Sequence, residues 1–292
     1  PALRSAMLPL VALLPSASLP LCVVTTESLS QKLSPCATAL RPVAPLGASE
    51  TLGAGDQPGT WKLSVDDTSD GVRQAIVGFG AAWTDATVTV FDALDDDDQR
   101  ALLAKLFSSG DNGIGLSLMR HTIGQSDLTP PALGRWSFDE NGGVADPSLH
   151  AFNLTAPGRR MLHWLRRMRD VSPSVKLLGS PWSAPAWMKQ DNTLRWEYVD
   201  AWAAYFLRYL REYAAAGVAV DAMTIQNEPL HSADGAWTMY LNASYQAILV
   251  GRLGVALRNA SISTELWAYD HNTDRPDVPQ ASSQSSKQSW WQ

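Results

Sequence analysis

Asp221-Ala222-Met223-Thr224-Ile225-Gln226-Asn227-Glu228-Pro229 is the stretch whose reading decides the fold. Ala222 to Ile225 are small, flexible or β-branched, a mix that suits a strand packed on both faces. Pro229 has no N–H to give to a sheet ladder, so pairing stops there. Asn227 and Glu228 are then left at the C-terminal tip, where parallel α/β enzymes place their chemistry. Taken alone, such a tip reads more readily as a core strand capped by a solvated glutamate. The flanking elements decide between the two.

Those elements alternate between strand and helix. Ile76 to Gly80 is apolar and small, and Asp92 to Phe107 follows as a helix with an apolar stripe of Ala101, Leu102, Leu103, Leu106 and Phe107. Asp95 to Asp98 suit the positive end of that helix's dipole better than a calcium site. Ile114 to Met119 is the next strand, followed by a Gly/Pro/Asp-rich loop, Thr122 to Leu154, and a helix that Thr155 can cap and that runs through Asp170. Val175 to Leu178 is a third strand. Glu197 to Ala216 is an amphipathic helix on Val199, Trp202, Phe206, Leu210 and Tyr213, with Gly217 available to end it. After the opening strand come a helix from about Ser244 to Asn259 and a fifth strand, Thr264 to Asp270. No helix is legible after that strand. Alternation of this kind implies a parallel sheet with helices outside, the (β/α)8 TIM-barrel type of α/β fold. A closed barrel needs roughly 250 residues, and 217 remain from Ile76 onward. The expectation is a barrel truncated after about the fifth strand. Trp61 to Val65 and Gln74 to Phe79 read as a short N-terminal β-hairpin belonging to a side β-sandwich.

The remaining segments give the domain plan. Arg4 and the apolar run Met7 to Val24, with small residues at Ala17 and Ser18, resemble a secretory signal over 1–24, against the alternative of an unstructured or mistranslated leader. Residues 25–60, rich in Ser, Thr, Pro, Gly and Ala, read as a disordered linker. The partial barrel spans 61–280, and 281–292 is a low-complexity tail. Asn153, Asn242 and Asn259 fit the glycosylation pattern, which with the leader favours a secreted eukaryotic glycoprotein. Cys22 and Cys36 make no disulfide framework and no metal spacing. Three prolines in the leader argue against a membrane span. A net charge of −6 without a basic run argues against nucleic acid.

Familiar cofactor sites fail. Gly78-Phe79-Gly80-Ala81-Ala82-Trp83 begins like a dinucleotide loop, but Trp83 stands in the third glycine's place, and no phosphate loop or paired-His metal helix is present. Neither a cofactor nor a metal is expected. What stands out is the likeness of the strand tips. The first has Trp83, Thr84 and Asp85, and the second has Arg120, His121 and Asp127. The third has Trp182 and Trp187, the fourth Asn227 and Glu228, and the fifth Tyr269, Asp270, His271 and Asn272. Carboxylates, amides and an arginine mixed with indole faces describe a sugar-binding cleft.

The motifs Gly78–Ala86, Met119–Leu128, Leu178–Met188, Thr224–Pro229 and Leu266–Asp274 together resemble glycoside hydrolase family 30. Within it the chain most resembles the fungal endo-β-1,6-galactanases, over about residues 61–280. The resemblance implies a (β/α)8 barrel with an attached β-sandwich that hydrolyses β-linked glycans with retention and without a metal. It implies Glu228 as general acid/base and Asn227 holding the sugar 2-hydroxyl. It also implies Asp85, Arg120 and Trp182, joined by Trp83, Asp127, Asp270 and His271, lining the cleft. A general acid must keep its proton near working pH. Burial beside aromatics, or a second carboxylate nearby, allows this. The nucleophile that retention requires, about 5–5.5 Å away, is in this family a glutamate on the seventh strand, and no residue of this chain takes its place. The partner is thus a β-linked polysaccharide or oligosaccharide, handled by a chain expected to be monomeric when complete. Two alternatives remain: β-1,6-glucan or another family 30 substrate, and a non-catalytic carbohydrate-binding or inactive truncated product.

Overall fold

The computed structural model describes residues 74–110, 113–232 and 237–285, with the short segments 23–24, 34–35 and 69–71. The chain divides into two units, Pro1–Ile76 and Val77–Gln292. In the first, strands β1 (Val23–Val24) and β2 (Ser34–Pro35) pair antiparallel. Apart from these four residues, the leader, the linker and both cysteines lie outside the described residues, as do Trp61 to Val65 and the tail beyond Ser285.

The second unit follows the expected alternation. Its elements run β3 (Ala82–Trp83), α1 (Asp85–Asp92), α2 (Asp96–Phe107), β4 (Leu118–Ile123), α3 (Ala156–Val171) and β5 (Lys176–Pro181). They continue through β6 (Lys189–Gln190), β7 (Thr193–Leu194), α4 (Val199–Ala215), β8 (Ala222–Thr224), α5 (Ala243–Asn259), β9 (Glu265–Trp267) and α6 (Asp277–Ser285). Strands β3, β4, β5, β8 and β9 form one sheet in chain order, every pair parallel. No described helix is long and apolar enough to cross a membrane.

Several boundaries differ from expectation, each for a local reason. Gln74 to Gly80 forms no strand. Ile76, Val77 and Phe79 are exposed, although the Phe79 carbonyl already accepts from the Ser117 and Leu118 amides at 2.9 and 3.2 Å. Regular strand pairing begins only at Ala82, opposite Arg120. The helix expected from Asp92 is two helices, because Asp95 leaves the helix to cap α2, accepting from the Asp98 amide at 2.8 Å. Thr155 precedes α3 as expected but makes no side-chain cap. A helix does follow the fifth strand. Asp277 suits the start of α6, and Pro279 falls within its first turn, where no N–H is needed.

The core lies between the sheet and its helices. Trp83, Phe91, Phe107 and Trp164 pack together from β3, α1, α2 and α3, with Trp83 and Phe91 4.5 Å apart. All five predicted stripe residues of α4 are buried, and Tyr205 and Tyr209 widen its inner face. Asp221 secures the start of β8 by accepting from Arg169 Nη2 at 2.8 Å, Lys176 Nζ at 2.9 Å and the Leu177 amide at 2.9 Å.

Candidate active site

Sheet register sets which side of the layer each tip residue serves. Ala82, Arg120, Leu178, Ala222 and Glu265 stand in one row, and Trp83, His121, Gly179, Met223 and Leu266 in the next. Adjacent rows face opposite sides of a sheet. The second row meets the helices: His121 Nε2 lies 2.6 Å from Tyr209 Oη and its ring stacks on Tyr213. Gly179 makes that contact possible, since a Cβ there would lie 2.7 Å from Tyr209 Oη. Burial, with the Arg120 and Arg169 charges, lowers the His121 pKa to about 3, so the imidazole stays neutral. Trp83 shares this row and is packed into the aromatic core. The expectation that it lines the cleft is therefore corrected.

The first row builds the site. Arg120 Nη2 donates to Asn227 Oδ1 at 2.7 Å, Asp270 Oδ2 at 2.7 Å and Ser180 Oγ at 2.9 Å. Its guanidinium lies 4.5 Å from the Trp182 ring centroid, a cation–π contact that covers one face of the indole. Asp270 Oδ2 also accepts from Ser180 Oγ at 2.7 Å and Thr224 Oγ1 at 2.9 Å. Arg120, Trp182, Asn227 and Asp270 thus come together as expected. Ser180 and Thr224 were missed. Both sit two residues beyond a first-row position, so the period-2 rule places them on the same face.

Glu228 adjoins this cluster. Its N–H donates to the Asp270 carbonyl at 2.8 Å, and its own carbonyl accepts from the His231 amide at 2.8 Å. Those bonds hold it at φ 43°, a left-handed conformation unusual outside glycine. Such a conformation costs of order 1–3 kcal/mol and persists where surrounding structure over-determines it, a pattern concentrated at functional sites. Glu228 is exposed, so of the two routes by which a general acid keeps its proton, burial beside aromatics is not the one seen here.

The other expected residues lie outside the Arg120 cluster. Asp85 is buried; its Oδ2 accepts from Thr129 Oγ1 at 2.6 Å and Trp136 Nε1 at 2.9 Å. Burial raises its pKa, while these two hydrogen bonds and Arg160 oppose the rise. Asp127 is exposed in a turn of the β4–α3 loop. His271 is half-buried beside Tyr269, with ring centroids 5.7 Å apart, and its buried Nδ1 has no hydrogen-bond partner. Thr129 and Trp136 come from the loop that the sequence left structureless. Phe138, Leu149 and Phe152 fold that loop onto α4 through Tyr205, Tyr209 and Arg208, and Trp136 packs against Phe138. Among the described residues no group of three or more His, Cys, Asp or Glu could hold a metal ion.

The same loop buries Asp139, both of whose carboxyl oxygens lack a hydrogen-bond partner. Burial, with the Asp146 and Glu140 carboxylates opposed by Arg208, pushes its pKa up to about 6. A folded-state pKa above the unfolded value means that the native state binds the extra proton. Asp139 therefore costs stability as pH rises from about 4 to about 6, by about 2–3 kcal/mol. His121 acts oppositely, because its depressed pKa makes acidification below about 6.5 destabilising. The difference between parent and Asp139→Asn isolates the aspartate. Urea unfolding is expected to find the variant more stable at pH 7, with the gain vanishing at pH 4. An equal gain at both pH values would refute the assignment.

A parallel strand–helix layer with an arginine–amide–carboxylate cluster at the carboxyl ends of its strands defines a TIM-barrel-type domain with its candidate site in the usual place for that fold. The chain belongs to glycosyl hydrolase family 30, whose TIM-barrel domain matches residues 76–281. An endo-1,6-β-D-glucanase of Aspergillus fumigatus is 46% identical over 258 residues, covering 80% of this chain and 52% of its own length. An endo-1,6-β-D-glucanase of Neurospora crassa is 44% identical over 246 residues, covering 81% of this chain and 50% of its own. The solved structure of the endo-β1,6-glucanase BT3312 matches with a TM-score of 0.64 at 27% identity, covering 73% of this chain and 50% of that one. The chain spans about half the length of the curated relatives it matches. These relatives are named glucanases, whereas the motifs of this chain resemble first the galactanases of the same family.

Proposed function

We propose that this chain supplies the sugar-holding and acid/base part of a retaining glycosidase that acts on β-1,6-linked glucan. The observation that carries it is the Asn227–Glu228 step at the tip of β8, clamped by Arg120 and the Asp270 backbone. Relatives named for β-1,6-glucan support glucose over galactose. Arg120 occupies Asn227 Oδ1, which leaves the Nδ2 hydrogens to donate to a sugar hydroxyl, the 2-hydroxyl in this reading. Glu228, next along the chain, protonates the glycosidic oxygen so that the leaving sugar departs as an alcohol. The anomeric carbon bonds to the nucleophilic carboxylate that retention requires, and Glu228 then takes a proton from the water that displaces that carboxylate. Asp85 and Asp270 are already engaged by donors and act as positioning groups, so neither is assigned the nucleophile's role. Trp182 shapes the wall of the cleft through the Arg120 contact.

Calorimetry of the 292-residue chain with β-1,6-glucan and β-1,6-galactan tests this reading, alongside an assay for released reducing ends. The chain is expected to bind the glucan at least about tenfold more tightly, a difference of about 1.4 kcal/mol, and to release no reducing ends. Tighter binding of galactan would reverse the substrate. Hydrolysis abolished by Glu228→Gln would show that these residues already include a nucleophile.

A further inference from the structure

The β6–β7 hairpin lies outside the Arg120 cluster, yet it is tied to the segment that leaves the site. Its turn holds Asp191 and Asn192 at φ 50° and 57°, the paired left-handed conformation of a tight two-residue hairpin. The Asn192 carbonyl accepts from the Tyr240 amide at 2.8 Å, and the Pro229 carbonyl accepts from the Leu241 amide at 2.8 Å. The hairpin is thereby fastened to the chain that begins at Glu228-Pro229.

Beside the hairpin lies an open groove of about 350 Å³, lined by Gln190, Asp191, Arg195, Trp196, Glu197 and Tyr245. Trp83, Trp136, Trp164, Trp182, Trp187 and Trp202 are all buried, whereas Trp196 is 56% exposed. Tyr245, in the first turn of α5, meets it edge to face at 5.4 Å and 76°. The neighbouring cation does not cover the indole, because Arg195 pairs with Glu197 and lies over the Tyr198 ring at 5.0 Å. An uncovered indole ringed by two carboxylates, an amide and a guanidinium suits a pyranose, whose C–H face is apolar and whose hydroxyls radiate from its edge.

We infer that this groove is a distal subsite that takes a glucose unit of the β-1,6-linked chain whose scissile bond lies at Glu228. It rests on the glucan reading above. A unit held there lengthens the bound stretch of polymer and so favours long chains over short ones.

The test is calorimetry with β-1,6-linked gluco-oligosaccharides of two and six units, in a Glu228→Gln background so that the ligand stays intact. Trp196→Ala is expected to weaken the hexamer by about tenfold and leave the dimer unchanged, and Trp196→Phe to restore most of the loss. Since Trp196 is exposed, the thermal midpoint should not move. Equal hexamer affinity in parent and Trp196→Ala, or an equal loss for both ligands, overturns the subsite alone. Failure of the parent to bind either oligosaccharide overturns the subsite together with the glucan reading.

Discussion

Arg120→Leu is expected to abolish measurable glycan binding and to destabilise the second unit by about 3 kcal/mol. Arg120 supplies the positive charge in the cluster, and both it and Asp270 are about three-quarters shielded from solvent. Removing it leaves the Asp270 carboxylate with the Ser180 and Thr224 hydroxyls but no counter-charge. Truncating one member of such a pair costs far more than the pair contributes. It also frees the Asn227 amide to rotate, losing the orientation that exposes Nδ2. Arg120→Lys should fall between, because an ammonium is a point charge without a fork. Adding Asp270→Asn to Arg120→Leu should recover part of the stability, since the orphaned charge is gone, but not the binding. Urea unfolding and calorimetry on the four proteins decide the matter. Unchanged stability and affinity in Arg120→Leu would remove the cluster from the site.

Gly80→Ala should be worse still for the fold. A Cβ at this position would lie 1.4 Å from the Leu118 carbonyl oxygen, which is backbone and cannot rotate away. The segment must move off β4, giving up the Ser117 and Leu118 amide bonds to the Phe79 carbonyl and the Arg120 amide bond to Ala81 at 3.0 Å. Loss of about 4 kcal/mol or more is expected, a large share of a domain's net stability. The variant should therefore fail to accumulate as soluble protein. Gly251→Ala, in α5 with open space around it, should gain about 0.5–1 kcal/mol from helix propensity. Soluble yield and thermal unfolding of the two variants give the comparison. A Gly80→Ala protein as soluble and stable as the parent would refute the close approach.

Most of the architecture was legible because burial periodicity is a local signal. The α4 stripe from Val199 to Tyr213 repeats every three or four residues over four turns, long enough to be unambiguous. The strands are shorter and were placed less well. Ile114 to Met119 overlaps β4 by two residues, because several small and apolar residues precede the pairing and periodicity cannot tell an extended approach from a paired strand. The β4–α3 loop was unreadable for a different reason. Phe138 and Phe152 pack on Tyr205 of α4, and Trp136 packs on Phe138 and donates to Asp85 of α1, and nothing within the loop's own sequence announces those partners.

The sequence by itself determined the strand–helix order, the polar strand tips and the position of Asn227-Glu228 at the end of β8. Those follow from hydrophobic patterning, from a proline that cannot pair and from short motifs that need no knowledge of neighbours. Only the tertiary structure decided which tip residues share a site. Trp83 ends β3 and Arg120 is the third residue of β4, and alternation alone leaves their faces open. Pairing of Ala82 with Arg120, and of Trp83 with His121, sends one row to the cleft and the other to the helices. A one-residue change of register would exchange them. Register is a property of two strands at once, which is why the Arg120–Asn227–Asp270 cluster emerged only when the sheet was assembled.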